Sequence, residues 1–194
     1  MDFSYIDKLL QDNHRLKAIL LLRDPRGVLS SHINAKNFRL NRADAKSLAE
    51  DAEVLCSRME RDIKAAKSLL VLYPTRVKII QYEDFDDPVR KLKKLYSFIN
   101  MDAGRLPLKL VSKNHNVAQS SNDRFRDMFS YRTKLDWGTV QMLDSHCRNV
   151  ILELGLVQYK DEKHLRNVSQ SPIIDALPYS LEAHYQPQFG FLFR

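Results

Sequence analysis

Apolar residues recur along the first half of the chain in a pattern that predicts a strand followed by two helices. Residues 18–23 lie in a continuous apolar run that is too short for an ordinary helix, which predicts a strand covered on both faces. Asp24 and Pro25 follow this run and predict a capped helix over 25–34, because proline needs no N–H partner at the first helical position. Residues 44–71 carry apolar side chains every three or four positions, which predicts one long amphipathic helix. Its predicted buried side consists of Leu48, Ala52, Leu55, Met59, Ile63, Ala66 and Leu70.

The second half of the chain continues with the same kinds of element. Residues 77–82 predict a second strand, and the Asp-Pro pair after it predicts a capped helix over 88–100. A further helix is expected over 139–154, where Gly155 supplies the stop. Residues 102–135 show no clean period. The expected buried side of the last helix is Val140, Leu143, Cys147 and Val150.

The order strand, helix, strand, helix indicates an α/β fold in which helices flank a parallel sheet. Ligands of such sheets bind beyond the carboxyl ends of the strands, and Arg23 and Tyr82 stand at those ends. The helix that begins at Pro25 would turn its first N–H groups toward the same edge, which favours a phosphate there. Ser30 and Ser31 lie farther along this helix and can add hydroxyl donors. A length of 194 residues is sufficient for one domain with a sizeable core.

The composition narrows the range of partners. The chain has 31 Lys and Arg against 24 Asp and Glu, and this net charge of +7 favours an anionic partner, although a merely basic surface gives the same sum. The positive charge is spread out, without a basic stripe interleaved with aromatic residues, which disfavours nucleic acid as a partner.

Cys56 and Cys147 are expected to be buried thiols or to form one disulfide, and no metal-ligand spacing occurs. The sequence has no apolar run long enough to span a membrane, no signal-peptide pattern, and one glycosylation sequon at Asn167.

The segment LLLRDPRGVLSSHI resembles the 3′-phosphate-binding segment of sulfotransferases of the Golgi carbohydrate type. In that family an arginine at a strand end and a serine eight residues later hold the 3′-phosphate of 3′-phosphoadenosine 5′-phosphosulfate (PAPS), and Arg23 and Ser31 have this spacing. The segment VKIIQYEDFDDPVRKLKKLYSFINM resembles the family's next strand and helix, whose tyrosine contacts adenine in related soluble sulfotransferases. The candidate cofactor-binding residues are therefore Arg23, Arg26, Ser30, Ser31 and Tyr82.

Two further segments extend the resemblance over residues 16–159. LCSRMERDIKAAKSLL resembles the family's long helix between the first two segments. SYRTKLDWGTVQMLDSHCRNVILELGL resembles its closing segment, with Tyr131 and Leu156 where the family usually has Trp and Tyr. The resemblance implies the P-loop-NTPase-like fold of sulfotransferases, present in part. Residues 1–159 would be a partial sulfotransferase domain, and residues 160–194 an irregular tail that packs on the same domain.

The reaction that the resemblance implies is transfer of a sulfonate from PAPS to a glycan hydroxyl, the 6-hydroxyl of galactose, N-acetylglucosamine or N-acetylgalactosamine. It also implies a Golgi lumenal location for the full-length protein, with a membrane anchor only in a missing N-terminal region. The family's Ser/Gly-rich 5′-phosphosulfate loop has no match here, where 22 residues precede Arg23. We therefore expect the chain alone to be inactive, because contacts at the reacting centre supply most of the acceleration.

The candidate cofactor-binding residues also have ordinary interpretations. Arg23 can pair with a surface carboxylate such as Asp24 or Glu83. Arg26 can touch the cofactor, an acidic glycan or only water. The two serines can donate backward to helix carbonyls, and the tyrosine can be a half-buried residue at the edge of the sheet.

The catalytic base cannot be assigned from the sequence. His115 is a candidate base, but an isolated loop histidine is more often polar surface. Arg132 is a candidate for binding cofactor or glycan, or an exposed residue before a helix. The missing loop favours one alternative to an enzyme, namely a non-catalytic module that binds a nucleotide or a sulfated glycan.

Overall fold

A computed structural model describes residues 3–34, 45–102, 104 and 128–181 of the chain. Short 3₁₀ turns cover Phe3–Tyr5 and Tyr82–Asp84. The helices predicted over 25–34 and 44–71 are confirmed. In chain order the described elements are α1 (Ile6–Asp12), β1 (Ala18–Leu22), α2 (Pro25–Asn34), α3 (Ala45–Leu72), β2 (Val77–Gln81), α4 (Pro88–Phe98), α5 (Tyr131–Lys134), α6 (Trp137–His146), α7 (Arg148–Glu153) and α8 (Glu162–Arg166).

The strands β1 and β2 pair in parallel and form the sheet of the described region. Their register places Ala18 opposite Val77 and Leu22 opposite Gln81. Both strands therefore end at one edge of the sheet, which we call the carboxyl edge. The prediction of two strands in one parallel sheet with helices around it is confirmed, and the α/β class with it.

The expectation that β1 is covered on both faces is wrong for the described residues. Leu22 is 3 % exposed, whereas its neighbour Leu21 is 57 % exposed. Successive side chains of a strand point to opposite faces. The described core packs against the face that holds Ala18, Leu20 and Leu22. A continuous apolar run therefore does not show by itself that a strand is buried on both sides.

The long helix α3 crosses the core with its buried side turned slightly from the predicted one. Leu48, Leu55, Met59 and Leu70 were expected in the interior but are only partly buried. Cys56 and Leu69, which are adjacent to two of them in sequence, are buried instead. Cys56 forms a disulfide with Cys147, so this side of α3 faces the helices near the end of the described chain.

The single helix predicted over 139–154 is interrupted in the structure. It consists of α6 and α7, which are separated at Cys147, where φ is −106° and ψ is 14°. Gly155 ends α7 with a φ of 67°, as a glycine stop predicts. The side chains predicted to face inward are all buried, namely Val140, Leu143, Cys147 and Val150.

Residues 160–181 pack against the rest of the described chain. They include the short helix α8, where an irregular tail was expected. The backbone N–H of Tyr179 donates to Gln81 Oε1 at 3.1 Å, and that of Leu181 donates to Asp84 Oδ2 at 2.6 Å. Both acceptors are buried beside the end of β2, so this segment is fixed to the carboxyl edge.

The disulfide between Cys56 and Cys147 spans 91 residues of sequence, which predicts that reduction destabilises the chain. A cross-link that closes a long loop restricts the unfolded chain, and losing it typically costs ~2–5 kcal/mol. Denaturant unfolding with and without reductant measures the effect. Because the chain holds two cysteines, a Cys56→Ala and Cys147→Ala double variant is the matched control and should not respond to reductant. Equal midpoints for the oxidised and reduced wild-type chain would contradict the prediction.

Candidate functional site

Arg23, Ser31 and Tyr82 come together at the carboxyl edge of the sheet. Arg23 follows the last residue of β1, and its Nη1 donates to Ser31 Oγ at 3.2 Å. Its guanidinium carbon lies 4.6 Å from the centre of the Tyr82 ring, in a cation–π contact. Tyr82 follows β2 and is 39 % exposed, so its ring forms an open wall of the site. The structure thus places these predicted residues side by side.

The guanidinium of Arg23 has an unused donor. Its Nε is buried and has no hydrogen-bond partner among the described residues. Over the same residues no ion pair joins Arg23 to Asp24, which pairs with Arg26 instead. A Cβ at position 27 would lie 3.2 Å from Nε, so Gly27 leaves room for the guanidinium over the first turn of α2. Buried donors are almost always paired in folded proteins, so this nitrogen can take an acceptor that the described residues do not supply.

Ser31 contributes a hydroxyl that already has partners on both sides. Its Oγ accepts from Arg23 and donates to the carbonyl of Gly27 at 2.8 Å, so the backward bond of the ordinary interpretation does form. Ser31 is exposed, and rotation of its hydroxyl would turn the proton from the carbonyl toward a bound oxygen. Ser30 is buried, and the structure does not place it on the surface of the site.

The structure does not bring Arg26 to the surface of the site either. Its side chain is 0 % exposed and forms ion pairs with Asp24 at 2.9 Å and Asp144 at 3.0 Å. Its Nη1 also donates to the carbonyl of Val157 at 2.8 Å. The expectation that Arg26 contacts the cofactor is therefore corrected, because its guanidinium lies in the interior and is engaged by carboxylates.

The first turn of α2 is less open to an anion than the sequence suggests. Asp24 caps the helix as predicted, and its Oδ1 accepts from the N–H of Arg26 at 2.9 Å. A carboxylate thus already occupies the positive end of this helix. The Arg26 side chain neutralises that carboxylate, which offsets its repulsion of a phosphate. The groups at this edge that can still donate to an anion are the side chains of Arg23 and Ser31.

Glu83 lies at the same edge, although the sequence suggests it only as a partner for Arg23. Its Oε1 accepts the backbone N–H of Asp24 at 2.9 Å, which ties the end of β2 to the end of β1. Its Oε2 is buried without a partner among the described residues. Burial, together with the charge of Asp24, raises the pKa of Glu83 to about 7. The signal that could have found it is the YED triplet directly after an apolar strand.

Comparison with known proteins identifies the family of the chain. The sulfotransferase domain family matches residues 5–174. The chain belongs to this family. Carbohydrate sulfotransferase 1 of Danio rerio is 28 % identical over 182 residues, a match that covers 82 % of this chain and 43 % of the relative. The chain thus spans less than half the length of that relative, and no solved structure matches it.

The other candidate residues of this chain lie elsewhere. Arg132 is buried and donates to the backbone carbonyls of Leu165, Asn167 and Gln170 at 2.9, 2.6 and 3.0 Å, so it holds the C-terminal segment. His115 lies outside the described residues. Within the described ranges, no group of three or more His, Cys, Asp or Glu side chains could hold a metal ion.

The raised pKa of Glu83 predicts that its contribution to the stability of the folded chain falls as the pH rises. The folded chain keeps the Glu83 proton up to about pH 7, whereas the unfolded chain loses it near the ordinary pKa of 4.5. The stabilising contribution is therefore complete below the ordinary pKa and is lost as the pH passes 7. A Glu83→Gln variant keeps an acceptor for the Asp24 N–H but cannot ionise.

Urea unfolding of both proteins over a range of pH tests this expectation. From acidic to mildly alkaline pH, the free energy of unfolding should shift in favour of Glu83→Gln by as much as ~3 kcal/mol, since each pKa unit is worth ~1.4 kcal/mol. The other titrating groups are common to both proteins and cancel in the difference. Glu53→Gln on the exposed face of α3 is the control and should follow the wild type. A difference that stays constant with pH would contradict the assignment.

Proposed function

We propose that this chain binds PAPS and its product adenosine 3′,5′-bisphosphate, and that the protein transfers the sulfonate to a glycan hydroxyl. The observation that carries the proposal is the buried Nε–H of Arg23, which has no partner among the described residues and lies beside Ser31 and Tyr82 at the carboxyl edge. Membership of the sulfotransferase family supports a transferase with a sulfonate donor. Similarity to carbohydrate sulfotransferase 1 of Danio rerio supports a carbohydrate acceptor.

The residues of the site fit a nucleotide that carries a phosphate on its ribose. A phosphate oxygen near Arg23 would satisfy the buried Nε donor through a charge-assisted hydrogen bond, and the Ser31 hydroxyl can add a second donor. The exposed ring of Tyr82 offers an aromatic surface for adenine. Because burial raises the pKa of Glu83 to about 7, this carboxyl group is mostly uncharged below that pH and does not repel the phosphate. PAPS supplies the activated sulfonate, and this chain anchors its 3′-phosphate.

The proposed acceptor is the 6-hydroxyl of galactose, N-acetylglucosamine or N-acetylgalactosamine. Transfer needs a base for the hydroxyl proton and donors for the charge that develops on the sulfonate. The family resemblance assigns the sulfonate contacts to a loop that has no match in this sequence. We therefore propose that the 194-residue chain binds the nucleotide without transferring sulfonate, with residues 1–159 as the partial domain and 160–194 packed on it.

The proposed place of the reaction is the lumen of the Golgi apparatus. Disulfides persist in oxidising compartments and are rare in the cytosol, so the Cys56–Cys147 disulfide supports a lumenal protein. None of the described helices combines the length and apolar character that are needed to cross a bilayer.

Calorimetry with adenosine 3′,5′-bisphosphate and with 5′-AMP tests the binding site. The bisphosphate should bind more tightly, because it alone carries the 3′-phosphate. Arg23→Ala removes a charge-assisted contact worth ~1.5–3 kcal/mol, so the affinity for the bisphosphate should fall roughly ten- to a hundred-fold. The affinity for 5′-AMP should change little. Equal affinities of the wild-type chain for the two nucleotides would refute the 3′-phosphate assignment.

The matched control for that experiment is Arg61→Ala, which removes the same charge from an exposed position on α3. At equal ionic strength this variant should bind the bisphosphate like the wild type. A loss as large as that of Arg23→Ala would show that general attraction by a basic surface, and not the carboxyl edge, accounts for binding.

A transfer assay separates an enzyme from the alternative of a non-catalytic module that binds a nucleotide or a sulfated glycan. The 194-residue chain and a chain extended by its own upstream coding sequence are incubated with radiolabelled PAPS and a panel of glycans. We expect labelled glycan from the extended chain alone. Turnover by the 194-residue chain would show that its own residues complete the reacting centre. Binding without transfer by both chains would favour the module.

A further inference from the structure

We propose that Asn167 is an N-glycosylation site of this protein. Asn167, Val168 and Ser169 form the one Asn-X-Ser/Thr sequon in the sequence. Their side chains take no part in the core or in the candidate site. The proposal rests on the proposed lumenal compartment and is independent of sulfonate transfer.

The sequon lies on an exposed turn. It begins directly after the last residue of α8, and all its residues are exposed. Glycosylation requires that the asparagine side chain reach the sugar donor and that the surface have room for a bulky, hydrated group. A turn at the surface meets both requirements.

The hydrogen bonds described for the turn involve Oδ1 of Asn167 and leave its Nδ2 accessible to solvent. Its Oδ1 accepts the backbone N–H of Ser169 at 3.2 Å, which fixes the direction of the side-chain amide. Its Nδ2 has no hydrogen-bond partner in the part of the chain that is described. Nδ2 is the atom to which the sugar of an N-glycan is attached.

The backbone of the turn is held from inside the protein. The buried guanidinium of Arg132 donates to the carbonyl oxygens of Asn167 and Gln170 at 2.6 and 3.0 Å. Because these bonds involve the backbone and come from the interior, a sugar on the Asn167 side chain would disturb none of them. The fold can therefore carry the modification without rearrangement.

Two other features agree with a glycan at this position. The Cys56–Cys147 disulfide indicates an oxidising compartment, and secreted and lumenal proteins are the ones that receive N-glycans. Val168, the middle residue of the sequon, has an apolar side chain that is 57 % exposed. A hydrated sugar on the adjacent Asn167 would shield this side chain from contacts with other molecules.

The modification forms a bond between Asn167 Nδ2 and the anomeric carbon of an oligosaccharide carried on a polyprenyl diphosphate. The bond from that carbon to the diphosphate oxygen breaks, and the diphosphate leaves with the bonding electrons. Nδ2 gives up one proton, which balances the charge of the leaving group. Nothing is oxidised or reduced in this step.

The test expresses the whole chain behind a cleavable signal peptide in a eukaryotic cell line. Electrophoretic mobility is compared before and after treatment with a peptide N-glycosidase, and the released site is located by peptide mass. We expect a shift from one glycan, with Asn167 converted to Asp by the enzyme. Asn167→Gln and Ser169→Ala should each abolish the shift, whereas Ser169→Thr should retain it. Asn149→Gln, at an exposed asparagine outside any sequon, is the control and should also retain it.

An unshifted wild-type chain that has formed its disulfide in the secretory pathway would overturn the proposal. A shift that persists in Asn167→Gln would also overturn it, because the sugar would then be attached elsewhere. Calorimetry with adenosine 3′,5′-bisphosphate on the Asn167→Gln chain reports on the proposed function alone. Failure of the glycosylation site and failure of the nucleotide site are therefore distinguished.

Discussion

The arrangement of the carboxyl edge depends on the buried guanidinium of Arg26. It joins the start of α2, through Asp24, to Asp144 of α6 and to the carbonyl of Val157, which lie 118 and 131 residues away in sequence. A buried charge is costly unless its partners are all in place, and removing it would leave two carboxylates without their cation. Only the planar fork of arginine can reach acceptors on several sides at once, so lysine would not replace it. The helix that carries Ser31 is thereby fixed to the C-terminal half of the described chain.

The two arginines on either side of Pro25 differ in burial and in contacts, because the helix begins between them. Arg26, inside the helix, is enclosed by the rings of Tyr131 and Tyr159, whose centres lie 4.9 and 5.0 Å from its guanidinium carbon. Arg23, before the helix, remains partly exposed, and its buried Nε has no partner among the described residues. The internal arginine connects distant parts of the described chain, whereas the external one lies at the carboxyl edge beside Ser31 and Tyr82. Two neighbouring residues of the same type thus differ in burial because only one of them is enclosed by distant carboxylates and tyrosine rings.

The elements of this edge could be predicted from the sequence because their signals are local. The apolar runs of β1 and β2, the Asp-Pro cap of α2 and the spacing of Arg23 and Ser31 each extend over only a few residues. Burial depth could not be predicted in the same way. Nothing in the sequence around Arg26 shows that its side chain is buried, since Asp144 is supplied by a distant helix. The sequence likewise does not show that Glu83 is buried, because its contact with the Asp24 N–H forms only when the two strands pair. Local patterns also do not decide between buried thiols and a disulfide for Cys56 and Cys147, nor do they predict the helix interruption at Cys147.

The parallel register of the two strands restricts how this edge can vary in length. Leu22 and Gln81 are the last paired residues, and Arg23 and Tyr82 continue directly from them. Because side chains alternate between faces, the loss or gain of one residue within β1 would turn every later side chain to the opposite face. Arg23 would then take the direction of Leu22 and point into apolar surroundings. A change of one residue in this strand would therefore have to be absorbed by a β-bulge, whereas a change of two residues keeps the alternation of the faces. The composition of the segment does not reveal this dependence on strand length.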